Sequence, residues 1–505
     1  MKAKSLMVQG TASSVGKSII TAGFCRIFKQ DGHTVAPFKS QNMALNSFIT
    51  EEGLEIGRAQ VVQAEAAGIK PHVLMNPILL KPSTDQKAQV IFMGKVHENM
   101  SAAAYDAYKP TLKDMILEAY NKLAEQYDIV VLEGAGSPAE INLRENDIVN
   151  MGMAELSDSP VVLVADIDRG GVFASIYGTI KLLEPKEQNR IKGVIINKFR
   201  GDIKLLTSGI DMIEALTDVP VLGVLPYAKL SIEDEDSLSE RFKFEENKTG
   251  QIKVEILYLP HVSNFTDFNV FETQEDVQVR YVMRGESIGE PDLLIIPGSK
   301  NTIEDLIYLK NTGLADQIIR LSRSKKRVMG ICGGYQMLGK VLKDPHHVES
   351  AISEVAGLGL LNVTTTFEGE KTTTQVKGYV KSDVIESLKD VQVKGYEIHM
   401  GQSVLGENTQ PFIHMTQSLD QKIDALDGAI REDGLVMGSY IHGIFDDLTF
   451  TRSLLDLIRK DKGLDLHEQT QMTFEDFKDK EYDKLADLMR KHIDMGKIYE
   501  ILGGN

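Results

Sequence analysis

Residues 7–23 read MVQGTASSVGKSIITAG, a short apolar strand followed by a loop of small residues and a helical pattern. The common phosphate loop, G-x-x-x-x-G-K-[ST], starts with a glycine five positions before its Gly-Lys pair. Thr11 stands at that position here, and the glycine comes one residue earlier, at Gly10. A small-residue turn without a ligand is the alternative, but the shift lengthens the loop without removing its backbone donors. The segment therefore predicts a variant phosphate loop.

Three residues at the end of this loop supply its chemistry. The consecutive backbone N–H groups and the positive end of the following helix attract an anion. Lys17 can reach the β- and γ-phosphates of a nucleotide, and the Ser18 hydroxyl can ligate Mg²⁺. We predict an ATP site at Gly10, Thr11, Gly16, Lys17 and Ser18, with Mg²⁺ at Ser18.

Outside this segment, further apolar runs rich in Val and Ile alternate with helical patterns. In the first half they read SLMVQG, DIVVLEGAG, SPVVLVADID, IKGVIINKF and VPVLGVLP; in the second, IKVEILYLP, PDLLIIPGS, RVMGICGG, GLGLLNVTT and LVMGSYIHGIF. Continuous apolar strands separated by helices are typical of parallel sheets covered on both faces. The pattern predicts two α/β domains, the second with added antiparallel strands in TTTQVKGYV and VKGYEIHMG.

The domain boundaries follow from breaks in this pattern. The acidic stretch SIEDEDSLSERFKFEENKTGQ has no apolar face and is typical of a linker. We predict an ATP-dependent domain over 1–232, a linker over 233–250, a second domain over 251–447 and a helical C-terminal extension over 448–505.

Composition narrows the class of protein. The chain has 505 residues, 42% of them hydrophobic, a net charge of −17 and two cysteines. Nucleic-acid-binding proteins usually carry a basic stripe, and none is visible in the sequence. Two cysteines do not form a disulfide framework, and we find no leader pattern and no apolar run long enough for a membrane span. These features predict a soluble cytoplasmic protein with no nucleic-acid or membrane partner; oligomeric state is left open.

Other polar residues of the first half follow predicted strands, where ligands of parallel sheets bind. Glu133 ends DIVVLEGAG and suits Mg²⁺ coordination, with a helix cap or a structural acid as the alternative. Lys39 follows the second strand, in APFKSQN. Asn197, in VIINKF, can read the adenine edge. In the loop VADIDRGGVFA, three residues could contact a metal, a phosphate or a substrate carboxylate: Asp166, Asp168 and Arg169. A purely structural loop is the alternative.

A second reactive centre is predicted around Cys332. GICGG, residues 330–334, is a G-x-C-x-G nucleophile elbow, in which glycines permit a strained strand-to-helix turn and the helix terminus favours a thiolate. A buried structural cysteine is the alternative. The backbone N–H groups of Gly298 and Gly333 would form an oxyanion hole, and His442, in GSYIHGIF, would transfer the proton.

Each half resembles a known family. The form G-T-x-[ST]-x-V-G-K-[ST] is similar to dethiobiotin synthetase, which implies ATP-dependent phosphorylation of an oxyanion, with Lys39 beside the transferred phosphoryl group. The second half resembles the class I glutamine amidotransferases, which implies that Cys332 and His442 release ammonia from glutamine. Many members carry a glutamate two residues after the histidine, but Ile444 stands there, so the sequence predicts a Cys–His pair with no third member placed.

Together, these halves predict ATP- and glutamine-dependent amidation of a carboxylate, because an acyl phosphate would make the unreactive acid electrophilic towards ammonia.

Six longer stretches resemble the cobyric acid synthase family: PFKSQNMALNSF, EIGRAQVVQAEAAGIKPHVLMNPILLKP, GAGSPAEINLRENDIVNMGMA, DIDRGGVFAS, SNFTDF and GYEIHMG. That resemblance implies amidation of the b, d, e and g propionates of adenosylcobyrinic acid a,c-diamide, a corrinoid. It also implies substrate contacts at Asn42, Asn46, Arg58, Gln60 and Arg169. A tightly packed helix is an equal explanation of EIGRAQVVQAEAAG.

Two other functions remain open from the sequence. Cobyrinic acid a,c-diamide synthase has the same two-part plan, although QNMALNS and MNPILLKP favour the cobyric acid synthase family. A nucleotide-driven switch with an inert docking domain is the second alternative. That function predicts an amphipathic membrane-targeting tail or a partner-binding helix, and the charged C-terminal segment shows no face that is both apolar and basic.

Overall fold

The computed structural model describes residues 3–84, 87–232, 250–407, 409–466 and 473–503. The predicted linker, 233–250, lies outside the described residues except for its last position. Two compact units share the chain. Unit 1 comprises Met1–Ala44, Glu55–Ser237 and Glu475–Asn505, and unit 2 comprises Leu45–Leu54 and Leu238–Phe474.

Strands occur throughout the described chain, most of them short. In chain order they are β1 (Lys4–Gly10), β2 (Val35–Phe38), β3 (Gln41–Met43), β4 (Ser47–Ile49), β5 (Glu55–Gly57), β6 (Ile78–Thr84), β7 (Lys87–Phe92), β8 (Lys95–Ser101), β9 (Ile129–Glu133), β10 (Val161–Asp166), β11 (Ile191–Phe199), β12 (Val221–Pro226), β13 (Ile252–Leu257), β14 (Val262–Ser263), β15 (Val277–Val282), β16 (Leu293–Ile296), β17 (Gly298–Ser299), β18 (Arg327–Ile331), β19 (Val341–Lys343), β20 (Glu354–Ala356), β21 (Val363–Val380), β22 (Gln392–Leu405), β23 (Ile413–Ser418), β24 (Gln421–Asp427), β25 (Ala429–Ile430) and β26 (Val436–Ser439).

Helices fall mostly between these strands. They are α1 (Lys17–Gln30), α2 (Arg58–Ala67), α3 (Ala102–Tyr108), α4 (Lys113–Ala124), α5 (Met151–Ser157), α6 (Val172–Leu182), α7 (Pro185–Gln188), α8 (Thr207–Thr217), α9 (Asn269–Thr273), α10 (Thr302–Asn311), α11 (Leu314–Arg323), α12 (Gly333–Leu338), α13 (Leu448–Asp461), α14 (Phe474–His492) and α15 (Met495–Ile501).

The main sheet of unit 1 is parallel and runs in the order β12-β11-β10-β1-β9-β2. Side chains of β1 alternate between two apolar cores: Met7 belongs to one, and Leu6 and Val8 belong to the other. The sheet is therefore covered on both faces, as the continuous apolar runs predict. Strand order reverses at β1, so the carboxyl ends of β1 and its neighbours form the crevice in which ligands of such sheets bind.

Unit 2 contains a second parallel sheet, ordered β15-β13-β16-β18-β26-β25, with only its β25 edge antiparallel. A further sheet is built around the long antiparallel pair β21 and β22. These two strands contain TTTQVKGYV and VKGYEIHMG, so the predicted antiparallel content is confirmed. The predicted fold class, two α/β domains with parallel sheets, is confirmed as well.

The C-terminal segment is divided differently from the predicted single extension over 448–505. Helix α13 belongs to unit 2, whereas residues from Glu475 onward belong to unit 1. The cause is an apolar face on α14, where Tyr482, Leu485 and Met489 are buried in the same core as α1. A Cβ added at Gly23 of α1 would lie 2.0 Å from the Met489 sulfur, so a small residue is needed where the two helices pack.

Candidate active sites

The predicted phosphate loop of unit 1 connects β1 to α1. Gly16 has φ 97°, in the left-handed region that favours glycine, and a Cβ there would lie 2.3 Å from Asn197 Nδ2. Asn197 Nδ2 donates to the Val15 carbonyl over 2.9 Å. Asn197 is thus placed at the loop itself, and its contact with adenine stays a prediction.

Lys17 is buried with its amine directed into this loop. Lys17 Nζ donates to the carbonyls of Ala12 and Gly136, each over 3.0 Å. Because Lys17 is the first residue of α1, the positive end of the helix adds to its charge. The glycine cradle, the helix start and the lysine fit the phosphates of a nucleotide.

Glu133, at the end of β9, is the centre of a buried polar network. Its Oε1 accepts from Lys39 Nζ over 2.9 Å and from Ser18 Oγ over 2.8 Å, and its Oε2 accepts from Gln63 Nε2 over 2.5 Å. Burial alone raises the pKa of Glu133, but the charge and hydrogen bond of Lys39, helped by Gln63 and Lys17, lower it overall. The carboxylate is therefore ionised at neutral pH beside the loop.

The Ser18 hydroxyl and the Glu133 carboxylate are oxygen donors of the type that Mg²⁺ prefers. Among the described residues, no group of three or more His, Cys, Asp or Glu side chains could hold a metal ion. A Mg²⁺ ion at this pair would complete its coordination with water and phosphate oxygens, which is its usual habit in nucleotide sites. The residues present therefore fit the ion.

Beside the loop, unit 1 has a cleft of about 380 Å³, and its lining residues include Lys17, Lys39, Asn42 and Glu133. Asn42 Nδ2 donates to Gln60 Oε1 over 3.2 Å, and Arg58 is buried at the first position of α2. These three predicted substrate residues belong to the same part of unit 1, and their role stays a prediction.

Two other predicted substrate residues occupy different surroundings. Arg169 lies in the loop after β10, 3.8 Å from Asp166, with 60% of its side chain exposed. Asn46 belongs to unit 2, where its Oδ1 accepts from the Phe265 backbone N–H over 3.3 Å. The sequence places Asn46 near Asn42, but the chain leaves unit 1 between these residues.

Cys332 of unit 2 has the strained backbone of a nucleophile elbow. It lies between β18 and α12 with φ 50° and ψ −109°, a conformation rare for a residue with a side chain. A Cβ at Gly330 would lie 2.6 Å from the Gly334 backbone, and one at Gly334 would lie 2.0 Å from the Ile296 carbonyl oxygen. The flanking glycines therefore let the strand, the elbow and the helix approach closely.

The two predicted oxyanion-hole residues, Gly298 and Gly333, both lie near the elbow. A Cβ at Gly333 would lie 2.9 Å from the Ser299 nitrogen, and one at Gly298 would lie 2.9 Å from His442 Cε1. Gly333 begins α12, so its N–H has no acceptor within that helix. The structure thus brings Gly298 and Gly333 together with the reactive residues, and their donation to an oxyanion stays a prediction.

His442 has a partner that sequence reasoning missed. His442 Nδ1 lies 2.7 Å from Asp267 Oδ2, and the other oxygen of Asp267 accepts from the Gly443 backbone N–H over 3.0 Å. Burial alone lowers the pKa of His442, but the charge of Asp267, the Cys332 sulfur and hydrogen bonds to both raise it to about 10. A protonated imidazole at neutral pH therefore places a positive charge beside the Cys332 sulfur.

Asp267 therefore supplies His442 with a carboxylate partner, although Ile444 stands two residues after the histidine. It belongs to SNFTDF and lies in a short 3-10 helix, Phe265–Phe268. Gln63, which donates to Glu133, was also missed, since an amide in a helical pattern carries no signal of its own. The only sequence signal for Asp267 is its place in a stretch shared with a family.

Two family models match the chain. One, described as a CobQ/CobB/MinD/ParA nucleotide binding domain, matches residues 6–239. The other, described as a CobB/CobQ-like glutamine amidotransferase domain, matches residues 253–450. The phosphate loop lies in the first match, and Cys332, Asp267 and His442 lie in the second.

Curated relatives named cobyric acid synthase match nearly the whole chain. The protein of Alkaliphilus metalliredigens (strain QYMF) is 56% identical, covering 99% of this chain and 100% of the relative. The protein of Thermoanaerobacter sp. (strain X514) is 56% identical over 98% of both chains. That of Yersinia enterocolitica serotype O:8 / biotype 1B is 55% identical, covering 99% of this chain and 98% of the relative. In the part of the chain that the structure describes, no helix combines the length and apolarity that a bilayer span needs.

Proposed function

Since the chain belongs to the cobyric acid synthase family of glutamine amidotransferase-containing ligases, we propose that it amidates the b, d, e and g propionates of adenosylcobyrinic acid a,c-diamide, giving adenosylcobyric acid. The family and the amidation of cobalamin biosynthesis follow from identities of 53–56% over nearly the full chain. The choice of corrinoid and of propionates, and the use of ATP with Mg²⁺, are our proposals.

Unit 1 activates the carboxylate. An oxygen of an ionised propionate attacks the γ-phosphorus of ATP, ADP leaves, and an acyl phosphate results. No general base is needed, because the attacking oxygen carries no proton at neutral pH. Lys17 and Lys39 neutralise the charge that develops on the phosphoryl oxygens, and a Mg²⁺ ion held by Ser18 and Glu133 would add to this neutralisation.

Unit 2 supplies the nitrogen. The Cys332 thiolate attacks the side-chain amide carbon of glutamine, and backbone donors at Gly298 and Gly333 stabilise the oxyanion. His442 gives its proton to the leaving nitrogen, so ammonia departs and a γ-glutamyl thioester remains. Water, deprotonated by His442, hydrolyses the thioester to glutamate and restores the thiolate. Ammonia then attacks the acyl phosphate, and its phosphate leaves as the amide forms.

The observation that supports this proposal most is the presence, on one chain, of two clusters of residues suited to these two steps. Unit 1 has a glycine cradle with Lys17, Lys39 and Glu133, and unit 2 has a Cys332–His442–Asp267 arrangement. A nucleotide switch with an inert docking domain would have no use for an elbow paired with a buried imidazole. The full-length relatives, which carry the cobyric acid synthase name, support that family over the a,c-diamide synthase.

Mass spectrometry of each corrinoid tests the reaction. The purified protein is incubated with glutamine, ATP and Mg²⁺ plus either adenosylcobyrinic acid a,c-diamide or cobyrinic acid. We expect successive amidations of the diamide, up to the four propionates named, with oxygen-18 passing from labelled propionate to inorganic phosphate. Amidation of cobyrinic acid only at a and c would favour the diamide synthase, and ATP cleavage without oxygen-18 transfer would contradict the acyl phosphate.

A Lys39→Met variant tests the activating site. The variant removes the main counter-charge of the buried Glu133 carboxylate, so we expect the free energy of unfolding to fall by about 3 kcal/mol. Amidation should be lost even when ammonia replaces glutamine. Denaturant unfolding and a corrinoid assay measure the two effects.

The double variant Lys39→Met/Glu133→Gln is the control, because it removes both charges of the pair. It should recover most of the lost stability without recovering amidation. Amidation by either variant at the wild-type rate would contradict the role of Lys39 in phosphoryl transfer.

A further inference from the structure

We propose that the inserted segment, Leu45–Leu54, is part of the glutaminase site, and that Asn46 is a positioning residue for His442. The segment lies near the start of the chain, yet it belongs to the same compact unit as Cys332 and His442. This inference rests on the glutaminase function proposed for unit 2, and it adds a role for residues outside the matched amidotransferase domain, 253–450.

The first contact of the inserted segment holds the loop that carries Asp267. Asn46 Oδ1 accepts from the Phe265 backbone N–H over 3.3 Å, and Asn264 Oδ1 accepts from the Ser47 backbone N–H over 2.9 Å. Both asparagines are buried, with 4% and 2% exposure. Asn264 has φ 52°, a left-handed conformation that asparagine tolerates better than most residues. The two side chains thus form a reciprocal clamp between the segment and the loop.

The clamp is close in sequence to Asp267, the carboxylate partner of His442. The Asp267 backbone N–H donates to the Asn264 carbonyl over 3.1 Å, closing the turn that directs the Asp267 carboxylate to His442 Nδ1. The strength of a hydrogen bond falls steeply as its angle departs from linear, so a small rotation of this turn weakens the bond between Asp267 and the His442 imidazole. Asn46 therefore acts on His442 through the turn and not by direct contact.

The second contact holds the face of the imidazole ring. The Tyr396 ring stacks on His442, with centroids 5.5 Å apart and planes 24° apart. The Tyr396 hydroxyl donates to the Ser47 carbonyl over 3.0 Å, and Phe48 packs edge-on against the Tyr396 ring, with centroids 5.0 Å apart. The inserted segment thus supports His442 from two directions: the carboxylate that bonds its nitrogen and the aromatic ring that lies on its face.

Two substitutions separate this role from the alternative that Asn46 contacts the corrinoid. Asn46→Ala removes the acceptor of the Phe265 N–H, whereas Asn46→Asp keeps an oxygen acceptor there. Glu52→Ala, an exposed change in the same segment, is the matched control. Tyr396→Phe removes only the hydroxyl that bonds Ser47 and tests the second contact.

The full-length variants are assayed for glutamine hydrolysis across pH and for amidation with ammonia as nitrogen source. For Asn46→Ala we expect kcat of glutamine hydrolysis to fall about tenfold, the scale of one hydrogen bond. Its pH profile should move to lower pH, and the KM for the corrinoid with ammonia should stay unchanged. Asn46→Asp should restore most of kcat. For Tyr396→Phe we expect kcat of glutamine hydrolysis to fall, as for Asn46→Ala, and for Glu52→Ala we expect the wild-type kcat.

The opposite pattern would overturn the inference. A raised corrinoid KM with unchanged glutamine hydrolysis would make Asn46 a substrate contact, and equal activities in both assays would give it no role. A cooperative melting transition and a circular-dichroism spectrum equal to that of the wild type show that Asn46→Ala is folded. A wild-type chain without glutaminase activity would contradict the proposed function itself, whereas an active wild type with an equally active Asn46→Ala contradicts only the positioning role.

Discussion

A Cys332→Ala variant is expected to lose glutamine-dependent amidation by roughly 10⁴-fold or more, the scale seen when a catalytic nucleophile is removed. Ammonia supplied as an ammonium salt should restore amidation, because in the proposed reaction unit 1 forms the acyl phosphate without the Cys332 sulfur. Parallel corrinoid assays with glutamine and with ammonia, at saturating ATP, measure the difference. Failure of ammonia to restore amidation would contradict the division of labour between the two centres.

The chain provides a matched control for this substitution. Cys25, in α1, is the other cysteine, and its side chain is fully buried. Burial raises the pKa of the Cys25 thiol, so it stays protonated and unreactive. Cys25→Ala should keep glutamine-dependent amidation, and an alkylating reagent at neutral pH should label Cys332 and spare Cys25. If a folded Cys25→Ala variant also lost glutamine-dependent amidation, the loss in Cys332→Ala could not be assigned to the cysteine of the elbow.

An Asp267→Asn variant is expected to lower kcat for glutamine hydrolysis by roughly 10²- to 10⁴-fold, the range of a triad whose orienting carboxylate becomes an amide. The amide can hold the imidazole in the wrong tautomer, and it removes the charge that raises the pKa of His442. In the wild type the Asp267 charge is the main cause that raises the pKa of His442 to about 10, so we expect the variant to lose this proton at lower pH. The pH profile of kcat/KM for glutamine measures this shift.

Asp424→Asn makes the same chemical change in another His–Asp pair. Asp424 Oδ1 lies 2.7 Å from His414 Nε2, and the Asp424 side chain is 91% exposed. We expect this variant to keep the wild-type rate and profile. If Asp267→Asn kept the wild-type kcat and pH profile too, Asp267 would not orient His442, and the Cys–His pair predicted from sequence would be the complete centre.

Local patterns account for what could be predicted. The phosphate loop and the elbow each lie within fewer than ten residues, and their glycines, Lys17 and Cys332 occupy fixed offsets that only a few chain conformations satisfy. The Asp267 carboxylate gave no such signal, because 175 residues separate it from His442. No spacing rule links residues that far apart, and only the folded sheet brings them together.

The same limit explains the reassigned segments. The apolar face of α14 can be recognised at Tyr482, Leu485 and Met489, but periodicity does not say which core the face joins. Asn42 and Asn46 lie in one stretch that resembles the cobyric acid synthase family, and that resemblance implies substrate contacts for both. The backbone partner of Asn46, Phe265, is 219 residues away. The chain changes unit between the two asparagines, and the substrate role of Asn46 stays a prediction.

The interleaving of the two units bears on how the enzyme can be dissected. The chain passes from one unit to the other after Ala44, Leu54, Ser237 and Phe474. A fragment begun at the linker would lack the inserted segment and keep α14, whose apolar face would then be exposed to water. No single cut of the chain separates the two units. A separate glutaminase would therefore need a gene in which residues 45–54 are joined to residues 238–474.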